Sequence, residues 1–196
     1  MKSRYMMIAA VLLLSCAVAL ADECNSLRYS DNGDGTVTDC RTGLIWLKDA
    51  NCLDTSNGIV KTSGNLNWYN AMKWVAGLGN GLCSLADGST AGDWRLPTDT
   101  EWSAAVESGR KQGFTSPVIT NAAGTAHWTA NGDAFNNVMP NPVFVVYWAS
   151  IRFGSVHAWR VVMESGVMDV DGRSNVAYVW PVRGGQSGTF GNLRIE

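Results

Sequence analysis

The chain is poor in the residues that build most catalytic centres. It has two histidines, His127 and His157. Ser150 or Ser155 can be paired with one of them on paper. No Gly-x-Ser-x-Gly elbow is present, and no acid is placed to orient such a base. His-x-x-Glu-His and Cys-x-x-Cys motifs are missing, which removes the common zinc and redox readings. No block of Lys and Arg occurs, which argues against nucleic acid as a partner and against strong binding to polyanions. Proline is scarce, at 5 residues, so turns fall largely to the 21 glycines. The longest apolar run, from Tyr5 to Leu20, is 16 residues. That is short of the ~20 a membrane-spanning helix needs.

What is present starts with that run. Lys2 and Arg4 precede it, and Ala19-Leu20-Ala21 closes it with the small-x-small pattern of signal-peptide cleavage. Residues 1–21 are therefore expected to leave as a signal peptide, with no transmembrane span remaining. Residues 22–196 are expected to form one exported domain, periplasmic, at the cell surface or secreted. Cleavage leaves 13 basic against 17 acidic side chains, a net charge of −4. A variant reading takes Leu13-Leu14-Ser15-Cys16 as a loose bacterial lipobox, with a lipid anchor at Cys16.

Cys16 departs with the signal. Cys24, Cys40, Cys52 and Cys83 remain, an even count that suits disulfides in an oxidising compartment. Three pairings are open, with free buried thiols as the alternative. The preferred set is Cys24–Cys40, flanking one hairpin, and Cys52–Cys83, bracketing the first helix.

Leu27 to Ser30, Thr36 to Asp39 and Leu44 to Leu47 suit strands. Asp31-Asn32-Gly33-Asp34-Gly35 makes a dense turn signal between the first two. A first helix is expected from near Asn65 or Asn67, with Trp68, Ala71, Met72, Val75, Ala76 and Leu78 on one face. Thr98 followed by Glu101 is a capping box for a second helix, stopped by Gly109. His127 to Thr129, Val143 to Ala149, His157 to Met163 and Ala177 to Arg183 suit strands. Glu164-Ser165-Gly166 and Asp169-Val170-Asp171-Gly172 suit turns between them. The expected class is α+β, with two helices packed on a twisted antiparallel sheet and a long loop region.

Several segments have a more specific character. They are Asp31 to Asp39 with Thr42-Gly43-Leu44-Ile45-Trp46, then Asp87 to Thr98 with Glu101-Trp102. Three more follow: Tyr147-Trp148-Ala149-Ser150, Ala158-Trp159-Arg160-Val161-Val162 and Val179 to Gly185. In this order, over residues 28–185, the chain resembles the Lcl C-terminal domain family of bacterial exported domains. The resemblance implies a C-type-lectin-like fold, more distantly similar to that of the formylglycine-generating enzyme. It also favours the Cys52–Cys83 pairing. The family's named member is an adhesin whose domain binds sulfated glycosaminoglycans. This chain has no collagen-type tract and no basic cluster to match it. The late cysteine pair of the formylglycine-generating enzyme is also missing.

The family-motif residues are given structural roles: Asp34, Gly35, Thr42, Gly43, Trp46, Trp94, Arg95, Leu96, Pro97, Glu101, Tyr147, Trp148, Trp159, Val182 and Arg183. Arg95 is expected to bridge carbonyls or a carboxylate such as Asp93 or Asp99. Ser30, Asn32, Asp34, Val37 and Asp39 partly imitate a calcium loop but lack the closing acid, so a hairpin turn is expected. Met139-Pro140-Asn141 lacks the first ligand of a lectin calcium site. Trp128 to Asp133 has fitting residue types at the wrong spacing. No metal and no cofactor are expected. The loop from Thr115 to Pro142 is polar, rich in Asn, Gly and Ala, and holds little that would build a core, so it is the expected recognition surface. Trp128, Asn131, Asp133 and Asn141 in it, with Trp148 beyond it, are the candidate ligand residues.

The leading functional expectation is a non-enzymatic, adhesin-like module recognising carbohydrate or a cell-surface protein. A structural role in envelope assembly is the alternative, and an enzyme of unknown type the third reading.

Overall fold

In the computed structural model, which describes residues 24, 26–139 and 144–184, the chain opens as an antiparallel meander. The expected signal peptide, Cys16 and Asn141 lie outside the described residues. Strands β1 (Tyr29–Asp31), β2 (Thr36–Asp39) and β3 (Leu44–Leu47) pair in register, Tyr29 opposite Asp39 and Thr36 opposite Leu47. The turn between β1 and β2 folds on its own side chains. Asp34 Oδ1 accepts from the Thr36 amide at 3.1 Å and its hydroxyl at 2.6 Å. Asn32 donates to Thr36 Oγ1 at 2.7 Å and accepts from Thr38 Oγ1 at 3.0 Å. These oxygens serve the turn, as the hairpin reading requires. Gly35 has φ +86°, and a Cβ there would lie 2.4 Å from the Ser84 carbonyl oxygen. Only glycine fits that approach.

Strand β4 (Asn65–Asn67) leads into helix α1 (Trp68–Ala76), whose N-cap Asn67 accepts from the Asn70 amide at 3.0 Å. Of the expected face, Trp68, Ala71, Val75 and Leu78 are buried and Met72 half-buried, but Ala76 is exposed, and the fully buried Trp74 takes a place on it that was not expected. Helix α2 (Asp99–Lys111) carries the expected capping box. Thr98 Oγ1 accepts from the Glu101 amide at 3.1 Å, and the Glu101 carboxylate accepts from the Thr98 amide at 2.7 Å. Gly109 does not stop this helix, which runs to Lys111 with its C-cap at Gln112. Gly109 is buried, and a Cβ on it would stand 2.4 Å from the Val118 carbonyl oxygen. The glycine marks a close crossing and not an end.

The remaining strands are β5 (Val146–Phe153), β6 (His157–Val162), β7 (Val167–Gly172), β8 (Val176–Tyr178) and β9 (Val182–Gly184). Instead of one sheet there are two. The first has the order β1-β2-β3-β9 and the second β4-β8-β5-β6-β7. Pairing is antiparallel except between β5 and β8. The division comes at Val179-Trp180-Pro181, which splits the single strand expected from Ala177 to Arg183 and carries the chain between the sheets. Proline has no amide hydrogen for a ladder, yet the Pro181 carbonyl accepts from the Leu47 amide at 3.0 Å.

Two further expectations are corrected. Asp169 to Gly172 is not a turn but the last four residues of the six-residue β7. Its acids sit at alternate positions and both pair with Arg160 on β6, Asp169 at 2.9 Å. His127 to Thr129 is not a strand. It makes one bridge, His127 with Thr120, and Trp128 donates its amide to the Ile119 carbonyl at 2.9 Å.

The two sheets and α2 share one core cluster. Its centre is aromatic: Trp46 lies 5.0 Å from Trp102 and 5.3 Å from Trp180, and Phe135 lies 4.8 Å from Trp180, ring centre to ring centre. Phe135 comes from the 115–142 loop, as do the buried Val118, Ile119, Thr120 and Val138. The expectation that this loop holds little core is therefore wrong. Its apolar residues lack periodicity, so they reach the core singly. Both preferred disulfides form, Cys24–Cys40 and Cys52–Cys83, with Cα separations of 5.2 and 5.6 Å. Among the described residues no helix is long and apolar enough to cross a membrane.

Candidate functional site

Two segments approach each other beyond β3. The Lys48 carbonyl accepts from the Asn136 amide at 2.8 Å, and the Asn136 carbonyl accepts from the Ala50 amide at 2.9 Å. They open into a cleft of about 690 Å³. That volume lies within the roughly 300–1,000 Å³ of small-ligand sites. Asp49, Asn51 and Leu53 form one wall, and the opposite side runs from Trp128 to Met139.

The polar lining residues are linked across the two walls. Asp49 Oδ1 accepts from the Asn51 amide and from Asn137 Nδ2, each at 3.0 Å. Asn137 Oδ1 accepts from Asn131 Nδ2 at 3.2 Å, and Asn131 Oδ1 accepts from the Asn137 amide at 2.7 Å. Asn137 holds a φ of +52°, a conformation that Asn tolerates better than most residues. Thr129 adds a hydroxyl-bearing side chain, and Leu53, Trp128, Ala130, Val138 and Met139 are apolar. Trp128 is fixed by its indole N–H, which donates to the Phe135 carbonyl at 3.1 Å. Met139 is held through its amide, which donates to the Tyr147 hydroxyl at 3.2 Å. Burial pushes that tyrosine's phenol upward in pKa.

Behind the Asp49–Leu53 wall sits Lys61, 6% exposed. Its ammonium donates to the Cys52 carbonyl at 2.7 Å and the Val179 carbonyl at 3.3 Å, and lies 3.6 Å from the Trp74 ring centre. Burial lowers its pKa to about 7, against the opposing pull of Asp49 and Asp54. Asp54 in turn accepts from the Cys83 amide at 2.6 Å. Asp54 also lies with the sulfurs of Cys52 and Cys83, but these are joined to each other and supply no thiolate for a metal.

The candidate ligand residues divide. Trp128 and Asn131 line the cleft. Asp133 instead accepts from the Ala122 amide at 3.1 Å and shapes the loop. Trp148 is wholly buried, its indole N–H donating to the Leu66 carbonyl at 2.9 Å, so it cannot meet a ligand. Its place on β5, between the helices and the sheet, takes it inward. Asp49, Asn51, Leu53, Asn137 and Met139 belong to the cleft without having been singled out in the sequence. The run Asn131 to Asn137, with three asparagines, was the available signal.

Several of the family-motif residues assemble elsewhere, around β9. Asp87 Oδ1 accepts from Ser89 Oγ at 2.6 Å, and Ser89 Oγ accepts from Trp94 Nε1 at 3.0 Å. Asp87 Oδ2 pairs with Arg183 Nε at 3.0 Å. Arg95 does not use Asp93 or Asp99. Its two terminal nitrogens meet Glu101 at 2.7 Å each, and it also donates to the Leu96 and Gly184 carbonyls at 3.2 Å. Glu101 thus caps its helix and holds Arg95 together, which keeps its carboxyl below the usual range despite burial. Trp94, Leu96, Trp46, Tyr147 and Val182 are buried. Pro97 accepts from the Ser150 amide at 2.7 Å. Thr42 and Gly43 turn the chain over the Asp39 carbonyl, and Trp159 is half-buried against Phe153. His127 donates to the Pro117 carbonyl at 2.6 Å. No hydrogen bond among the described residues joins Ser150 or Ser155 to a histidine.

Fold and cleft together define an α+β module of two sheets, stapled by two disulfides and carrying an amide-lined groove. The chain belongs to the Lcl C-terminal domain family, whose family model matches residues 35–183. No curated protein matches it.

Proposed function

We propose that the chain is an exported, C-type-lectin-like binding module that takes carbohydrate in the Asp49–Met139 cleft, as an adhesin does, without turning it over. The observation that carries this reading is the mixed lining of the cleft. Amides and a carboxylate stand on both walls beside apolar groups, Leu53 on one and Met139 with the edge of the largely buried Trp128 on the other. A sugar ring offers the same mixture, hydroxyls at its edge and C–H groups on its faces. Asp49 is the one ionisable side chain among the described lining residues, so no acid–base pair for group transfer stands there. Two disulfides support an oxidising compartment outside the cytoplasm. A signal peptide over residues 1–21 would deliver the chain there, and mass spectrometry of the mature N-terminus tests that against lipidation at Cys16.

A glycan array probed with the mature chain tests the cleft itself. Leu53→Ala, at a residue 56% exposed, is expected to weaken binding at least severalfold while leaving the unfolding midpoint in place. Binding unchanged by Leu53→Ala and by Asn131→Ala would refute the site.

A second reading rests on a different surface. Ile151, Phe153 and Val156 stand exposed at the end of the β5–β6 hairpin. Exposed apolar groups in proximity mark protein contacts, which supports an assembly role in the envelope. Pull-down from envelope extracts with Phe153→Ser and Val156→Ser as controls separates the two.

A further inference from the structure

We infer that the cleft selects uncharged saccharides and discriminates against sulfated or uronate-bearing ones. The inference rests on the carbohydrate reading above and deepens it. Among the described lining residues the charge is a single carboxylate, Asp49. It is held in place through Oδ1 by the Asn51 amide and Asn137 Nδ2. The cations on either side of it along the chain are both committed. Lys48 pairs with Asp31. Lys61 is buried behind the wall and spends its donors on the Cys52 and Val179 carbonyls. No guanidinium or ammonium among the described residues lines the cleft.

A sulfate or carboxylate entering this space would face a fixed negative charge with no counter-ion. Anion sites in proteins rely on Arg forks, Lys or helix N-termini. None of these borders this cleft among the described residues. Asparagine amides offer both donors and acceptors, which matches hydroxyl groups that also do both. A ligand anion ~6 Å from Asp49, at an effective dielectric between that of a protein surface and water, is disfavoured by roughly tenfold.

The test uses the mature chain on neutral oligosaccharides and their chemically sulfated counterparts, matched in length. The wild type is expected to prefer the uncharged member of each pair by roughly tenfold. Asp49→Asn keeps an acceptor oxygen for Asn51 and Asn137 and is expected to bring the ratio close to one. Should that variant fail to fold, Asn131→Asp adds a second carboxylate and is expected to widen the ratio. Raised salt is expected to narrow it in the wild type. Sulfated members that bind as well as neutral ones, or a ratio that neither substitution moves, overturn the inference while leaving the carbohydrate reading intact. Absence of cleft-dependent glycan binding altogether overturns both.

Discussion

At the scale of single residues, this protein is held by polar atoms on large apolar side chains. The indole N–H groups of Trp68, Trp74, Trp102, Trp148 and Trp180 donate to carbonyls of Ala149, Asp54, Trp148, Leu66 and Leu47, all at 2.8–3.1 Å. Each tryptophan thereby buries its area and staples a distant strand or loop. Lys61 uses the same device with a charge. Its folded-state pKa of about 7 lies below the ordinary 10.5, because burial penalises the ammonium. Between those values the unfolded chain binds the proton that the folded chain has lost, so this group makes stability rise with pH. The contribution is full above about 10.5, is lost as pH falls through about 7, and is flat below that. Lys61→Met removes the titration but leaves the Cys52 and Val179 carbonyls without their donor. Urea unfolding at pH 6, 7.5 and 9 is therefore expected to show a rising stability in the wild type relative to Lys61→Met. Parallel curves for the two proteins would contradict the assignment. Working on the difference removes the opposing effect of the buried Tyr29 and Tyr147, whose raised pKa values cost stability as the alkaline range is reached.

At the scale of elements, local chemistry was legible and long-range contact was not. Thr98 and Glu101 announce the start of α2 because a capping box is complete within four residues. The β1–β2 hairpin is equally self-contained. Gly109 misleads, because the reason for that glycine is a carbonyl on another segment. Strand β7 misleads in the opposite way, since Asp169 and Asp171 look like turn residues until Arg160 on β6 is seen between them. Gly109 gives the sharper prediction. Alanine is the better helix former by about 1 kcal/mol, so propensity alone predicts that Gly109→Ala stabilises α2. The crossing predicts the reverse: a Cβ 2.4 Å from the Val118 oxygen forces helix and loop apart. Overpacking of this kind costs about 1–3 kcal/mol. Gly109→Ala is expected to lower the unfolding midpoint, while Ser103→Ala on the exposed side of the same helix leaves or raises it. Thermal melts of the two variants decide between propensity and packing.

At the scale of the molecule, the cleft could not be read from the sequence because its walls come from segments about 80 residues apart, and neither has periodic structure. Asp49 and Leu53 carry no motif. Trp128 and Asn131 were legible only as a tryptophan near asparagines. The wall's rigidity is nevertheless written in the cysteines. Cys52 stands between Asn51 and Leu53, and its partner Cys83 donates its amide to Asp54, whose carbonyl receives Trp74. The two disulfides therefore separate stability from binding. Cys52–Cys83 spans 31 residues and Cys24–Cys40 spans 16. Chain-entropy arguments put their contributions close together, about 3–4 and about 3 kcal/mol. Cys52→Ala with Cys83→Ala, and Cys24→Ala with Cys40→Ala, should thus lower urea stability by similar amounts. Affinity should part them. The first double variant frees the Asp49–Leu53 wall and is expected to lose most glycan binding at temperatures where it is still folded. The second frees the end of β2, which supplies none of the described lining residues, and is expected to bind as the wild type does. Equal losses of affinity in both would place the ligand elsewhere than in this cleft.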